Sequence, residues 1–258
     1  MKNWKDGYLP DDPYRSVDYR LEDYAKSIFL QKCMAKKGFD FPVVPFDWHD
    51  PLEPTIYSQG LSGTLTEERA QKYGYRKEPA TEREKLMRQR HETIAGEPQA
   101  WREAFNECDS DVKKVPPFKG SESLVEDRGG GGSLEWRKEV KAAAAKWHKC
   151  MEPLGIPDLP SNPWESPGPT LGAKFGMSNI DDPESLNFDG SNVSPEEFKI
   201  AVFDAKCREK AKYHQILYDL YWQDSERNIA KHKGEFQARL NAIQKKNKEY
   251  KAYIEANR

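Results

Sequence analysis

The first helical signal lies between Ser16 and Gly38. Val17, Leu21, Tyr24 and Ile28 recur at steps of four, three and four, and Ala25 and Phe29 widen the stripe. Ser16 is the expected N-cap, Cys33 falls in the last turn, and Gly38 is the expected stop. Phe41 to Gly63 carries Pro42, Pro45, Pro51 and Pro54 with Trp48 and Tyr57 between them, which predicts an extended strap. Thr81 with Glu84 forms a capping box for a charged helix ending near Gly96. Pro98 then suits the first position of a short helix with Trp101, Phe105 and Cys108 on one face. Asp109 to Ser133 lacks periodicity and ends in Gly129-Gly130-Gly131-Gly132-Ser133. That flexible-linker composition reads as a disordered loop or as an engineered replacement of one.

The second part of the chain follows a similar course. Trp136, Val140, Ala143, Trp147 and Met151 make one stripe, closed by Pro153 and Gly155. Ile156 to Asn192 is again rich in proline and glycine, with Trp164 and Phe175 isolated in it. Ser194-Pro195-Glu196-Glu197 supplies an N-cap, a proline at the first turn and a capping-box glutamate together. Apolar positions from Phe198 and Val202 onward then continue almost to the C-terminus. An unbroken helix of about 60 residues would reach roughly 90 Å, so either it breaks near Gly234 into a hairpin or its end projects. The sparse stripe after Ile229, at steps near seven, suits a partner helix or a coiled-coil contact. No substantial β-sheet is expected.

Composition agrees with a packed helical protein under a wet surface. Of 258 residues, 36% are hydrophobic, 12% aromatic and 33% charged, and the mean hydropathy is -0.95. The ring content is too high for a disordered chain. A net charge of -2 argues against nucleic-acid binding, although Ala205 to Arg258 is locally basic. No apolar run approaches the roughly 20 residues of a membrane span. No basic-then-apolar leader opens the chain, which taken literally means a cytosolic protein; Met1-Lys2-Asn3-Trp4-Lys5 could equally begin a secreted or cell-surface mature region with its leader removed, and the cysteines arbitrate.

Cys33, Cys108, Cys150 and Cys207 form no C-x-x-C pair and have no zinc-ligand spacing. An even, widely spaced set predicts two disulfides. Lys32-Cys33-Met34-Ala35-Lys36-Lys37-Gly38-Phe39 is echoed by Lys149-Cys150-Met151-Glu152-Pro153-Leu154-Gly155-Ile156, each copy followed by a helical segment with one cysteine. Two related halves would each close their own bridge, Cys33–Cys108 and Cys150–Cys207, at roughly 4 kcal/mol apiece in the chain-entropy model.

At these residues the chain resembles a broad, largely uncharacterised group of actinobacterial secreted proteins and lipoproteins. The resemblance rests on Cys33-Met34-x-x-Lys37-Gly38-Phe39-Asp40-Phe41-Pro42, Lys72-Tyr73-Gly74-Tyr75, Trp147-x-x-Cys150-Met151 and Asp204-Ala205-Lys206-Cys207. It implies location and architecture more than activity. No lipobox cysteine is present, so it carries no lipid anchor over to this chain.

Catalytic signatures are missing: no H-E-x-x-H, G-x-S-x-G, Walker loop or dinucleotide fingerprint. Asp47-Trp48-His49-Asp50 reads as a polar turn before Pro51 rather than as metal ligands. No metal and no cofactor are expected. Trp48, Tyr57 and Trp164 are the candidate binding residues, because exposed rings stack on sugars or anchor protein interfaces. The expected architecture is mainly α. A first helical half spans 1–118, a linker 119–133, and a second half 134–258 with the long C-terminal helix, most simply one integrated unit. The expected function is non-catalytic binding at the cell envelope of a glycan, peptide or protein. The rivals are an envelope hydrolase using a carboxylate pair and a structural protein self-associating through 229–258.

Overall fold

A computed structural model describes residues 2–45, 47, 52, 64–76, 78–119, 134–177 and 193–258. Among the described residues the protein is mainly helical and has no strand. The helices are α1 (Tyr19–Lys36), α2 (Glu67–Tyr73), α3 (Glu82–Ala95), α4 (Gln99–Val112), α5 (Lys138–Met151), α6 (Pro169–Lys174), α7 (Pro195–Ala211), α8 (Tyr213–Lys231) and α9 (Lys233–Asn257). The cysteines pair as Cys33–Cys108 and Cys150–Cys207, the pairing that the internal echo predicts. The chain divides into two compact units. Unit I draws on Met1–Pro10, Pro54–Pro79 and Gly130–Arg227, and unit II on Asp11–Glu53, Ala80–Gly129 and Asn228–Arg258.

In unit II, α1 packs against α4 and α9. Leu21, Tyr24 and Ile28 of the expected stripe are buried with Val112, Tyr250 and Ile254. Helix α1 starts later than the pattern predicts. Asp18, not Ser16, is the N-cap, its carboxylate accepting the Arg20 N–H at 3.0 Å. Asn247 Oδ1 of α9 accepts the Asp18 N–H at 2.9 Å, so a tertiary contact selects this cap. The Thr81–Glu84 capping box is present on α3. Pro98 stands at the N-cap of α4 rather than inside it, and α4 runs one turn past Cys108 to bury Val112. Phe41, Trp101 and Phe105 stack 5.2–6.2 Å apart beside the Cys33–Cys108 bridge.

The predicted 60-residue helix is three helices. It breaks at Lys212, whose φ of 55 lies in the left-handed region, and at His232, two residues before Gly234. Helix α9 is about 37 Å long. Its seven-step stripe of Phe236, Ile243 and Tyr250 is buried within the chain. Tyr250 Oη donates to Glu22 of α1 at 3.0 Å, and Lys246 Nζ donates to the Pro117 carbonyl.

In unit I, α7 packs against both α2 and α5. The Cys150–Cys207 bridge joins α5 to α7 among Trp147, Met151 and Ala211. Trp136 does not join the α5 stripe: it ends a 3-10 turn, and Arg137 caps α5 in extended geometry. Leu134 is buried in its place with Val140, Ala143 and Leu217. Both units therefore contain one local arrangement. A helix ends in Cys-Met-x3-Gly, its cysteine is bridged to a second helix, its methionine (Met34, Met151) is fully buried, and its glycine (Gly38, Gly155) has positive φ.

Candidate functional site

The buried face of α7 is charged. Phe198 and Val202, the expected apolar stripe, are only half-buried, whereas Glu197, Ala201, Asp204, Ala205 and Arg208 face inward. Charges survive at such depth only when each is paired and hydrogen-bonded. Here they are. Asp204, with no exposed surface, accepts the Trp147 indole N–H at 2.8 Å and the Arg208 Nε–H at 2.7 Å on Oδ1. Its Oδ2 accepts the Tyr75 hydroxyl at 3.0 Å, the Ser166 hydroxyl at 2.6 Å and Arg208 Nη2 at 2.9 Å. Glu197 accepts Arg76 Nε at 3.2 Å and the Tyr75 backbone N–H at 3.2 Å. Arg76 Nη2 also donates to the Phe175 carbonyl.

The short motifs of the sequence thus converge on one carboxylate. Trp147 comes from Trp147-x-x-Cys150-Met151, Tyr75 from Lys72-Tyr73-Gly74-Tyr75, and Asp204 opens the tetrad ending at Cys207. Gly74 has a positive φ of 60, and a Cβ there would meet Glu197 Oε1 at 2.9 Å, so the turn needs glycine to admit the carboxylate. Burial alone would raise the Asp204 carboxyl. The Arg208 guanidinium, with hydrogen bonds from Arg208, Ser166 and Trp147, holds it below the usual aspartate range. Burial and the facing Asp204 charge push the Tyr75 hydroxyl well above its ordinary value, so it stays a donor. Both Asp204 oxygens are saturated with donors, which leaves no lone pair free to take a substrate proton. The cluster is a positioning hub.

What it positions is the strap that holds Pro163 and Ser166. Arg208 Nη2 donates to the Pro163 carbonyl at 2.6 Å, and Ser166 is held by Asp204. Between these anchors the 3-10 turn Pro163–Glu165 lifts Trp164, 48% exposed. Just before it, Ser161 and Asn162 line a groove of about 560 Å3 together with residues of α5. Buried Ala144, exposed Ala145, Lys141 and Lys149 line it as well. Trp136, a residue 65% exposed, is also in the lining. The Arg137 guanidinium lies 5.7 Å from the indole centroid. Among the described residues, neither Lys141 nor Lys149 has an ion-pair partner. Of the sequence-predicted site residues, Trp164 is exposed on the strap but does not line this groove, while Trp48 and Tyr57 are outside the described residues, as is His49. Periodicity misplaced Trp136 because it fits the α5 stripe in phase, and only the extended Arg137 backbone takes it out.

A second cavity, of about 540 Å3, opens where α7 breaks into α8. It is bordered by Trp4, Arg208, Lys212 and His214. The Trp4 and His214 rings are 6.2 Å apart and nearly parallel. His214 Nε2 is buried without a hydrogen-bond partner. Burial, with the Arg208 charge nearby, lowers the His214 pKa to about 3 from 6.5. As pH falls below 6.5, the unfolded chain therefore takes up a proton that the folded chain refuses. Stability is full above that pH and should drop on the way to pH 3. The limiting slope is about 1.4 kcal/mol per pH unit, reduced by the ring's remaining solvent contact. His214→Gln removes this contribution, so the stability advantage of the parent over the variant should shrink as urea titrations move from pH 7 to pH 4. A pH-independent difference would refute the buried neutral imidazole.

Among the described residues, no group of histidine, cysteine and carboxylate side chains is placed to hold a metal, and no helix is long and apolar enough to cross a membrane. No family model, curated protein or solved structure matches the chain.

Proposed function

We propose that this chain is a non-catalytic binding protein of the cell envelope, acting outside the cytoplasm, with the α5 groove as its ligand surface. The observation that carries this reading is the exposed Trp136 in the lining of a basic groove, with Ser161 and Asn162 of the same lining leading into a strap that carries the exposed Trp164 and is tied to a buried ionic hub. Exposed tryptophans are favoured anchors in binding surfaces because one large ring buries much area on contact. A floor held rigid by a disulfide and a saturated carboxylate is the preorganisation that a binding site needs. Two disulfides are compatible with an oxidising compartment. The matching helix pairs in the two units support descent from a duplicated Cys-Met-x3-Gly element, with one copy elaborated into the groove.

The test is cosedimentation of the purified chain with washed envelope fragments of its source cells. The parent should pellet with them, and Trp136→Ala/Trp164→Ala should remain largely in the supernatant while keeping its helical circular dichroism. Release of soluble saccharide or peptide during the incubation would favour a hydrolase instead. A parent chain that stays in solution would overturn the binding reading.

A further inference from the structure

Resting on that reading, we infer that the α5 groove takes a sugar bearing a carboxylate, stacked on Trp136 and paired with Lys141 and Lys149. Lys141, Ala145 and Lys149 recur at intervals of four, so they stand in one row along the helix surface. Ala145, with the smallest side chain of the three, stands between the two lysines in that row. Ala144 sits in the adjacent row and is buried, so the floor between the rows is apolar and shallow. The volume of about 560 Å3 lies in the range of small-ligand sites.

Three features select an acidic sugar over other occupants. The first is the end wall. Arg137 covers one face of the Trp136 indole, and a ring 65% exposed keeps its other face open. A flat open indole suits the C–H face of a pyranose. The second is the side wall: Ser161 and Asn162 offer a hydroxyl and an amide, neutral groups that both donate and accept, as vicinal sugar hydroxyls require. An acidic peptide would want pockets for apolar anchors, and a floor of two alanine methyls provides none. The third is charge. Among the described residues Lys141 and Lys149 have no ion-pair partner, Arg137 beside Trp136 is paired with Glu139 at 3.7 Å, and Glu152 is the one carboxylate of the described lining. The local field is positive although the chain as a whole carries -2.

The anion is a carboxylate rather than a phosphate. The groove runs toward the C-terminal end of α5, where the helix dipole is negative and opposes a dianion. The two lysines offer separate point charges instead of the forked donors or the cradle of backbone N–H groups that phosphate sites use.

The experiment titrates the full-length oxidised chain with three probes, a galacturonate trisaccharide, neutral galactotriose and hexaglutamate, reading tryptophan fluorescence and amide shifts in two-dimensional NMR. The galacturonate trisaccharide should bind, with shifts confined to residues around Trp136, Lys141 to Lys149 and Ser161–Asn162, and galactotriose should bind about tenfold more weakly. Added salt should narrow that gap. Lys141→Gln/Lys149→Gln should lose the preference for the charged sugar while keeping weak binding of the neutral one. Trp136→Ala should abolish both, and Lys141→Arg/Lys149→Arg should keep the preference. Equal binding of the two sugars, tighter binding of hexaglutamate, or shifts elsewhere would overturn the assignment. If the envelope pelleting persists in Trp136→Ala and Lys141→Gln/Lys149→Gln, the binding reading stands and the groove is not its site. If the parent neither pellets nor binds any probe, both fail.

Discussion

Replacing Asp204 by alanine should destabilise unit I by about 3–5 kcal/mol, the usual cost of leaving one half of a buried ion pair. The carboxylate has no exposed surface and receives donors from Trp147, Tyr75, Ser166 and Arg208. Its removal strands a guanidinium that is itself 5% exposed, together with an indole N–H and two hydroxyls. The damage should be local before it is global. Amide hydrogen exchange should accelerate first in α5, in α7 and in the strap from Ser161 to Gly168, because Arg208 and Ser166 tie that strap down. Trp136 and Trp164 would then lose their common foundation, and envelope binding should fall with the exchange protection. Asp204→Ala/Arg208→Met should recover a large part of the loss, since the stranded charge goes with its partner. Equal exchange rates in Asp204→Ala and the parent would show that the hub is dispensable and would remove the link between core and groove.

Removing the Cys150–Cys207 bridge should cost about 4 kcal/mol, since it closes a separation of 57 residues. Cys150→Ala/Cys207→Ala is the appropriate variant, because Cys207 is buried beside Trp147 and Met151, where a serine hydroxyl would add its own desolvation cost. Urea unfolding of the variant should begin at markedly lower denaturant than in the oxidised parent. Reductant should move the parent toward the variant and leave α5 and α7 the less protected region. With two units in one chain the transition need not be two-state, so exchange protection in α5 and α7 is the cleaner readout than a single midpoint. An unfolding curve unchanged by full reduction of all four thiols would show that packing alone holds α5 to α7.

The amino-acid pattern by itself determined the class and the covalent frame. Helical stripes of apolar residues, the Thr81–Glu84 box, the Ser194 cap with Pro195 and the glycine stops are local signals, each written within one or two turns. The repeated Cys-Met-x3-Gly phrase favoured the disulfide pairing that the structure has, since two like halves would each close their own bridge. Tertiary structure alone decided the rest. The N-cap of α1 moved to Asp18 because Asn247 of α9, far along the chain, accepts its N–H. The break at Lys212 has no proline or glycine to announce it, whereas the one at His232 falls two residues before Gly234, where the sequence offered a break. The inward face of α7 is charged because arginines and hydroxyls from distant segments neutralise it. Hydropathy scores a residue before its partners are known, and so it placed Phe198 and Val202 where Glu197, Asp204 and Arg208 belong. Trp136 was read into the core and stands in solvent for the same reason. Helix formation depends on neighbours within a few residues, while the burial of a charge or the exposure of a ring depends on which chain segments meet there, and only folding brings those together.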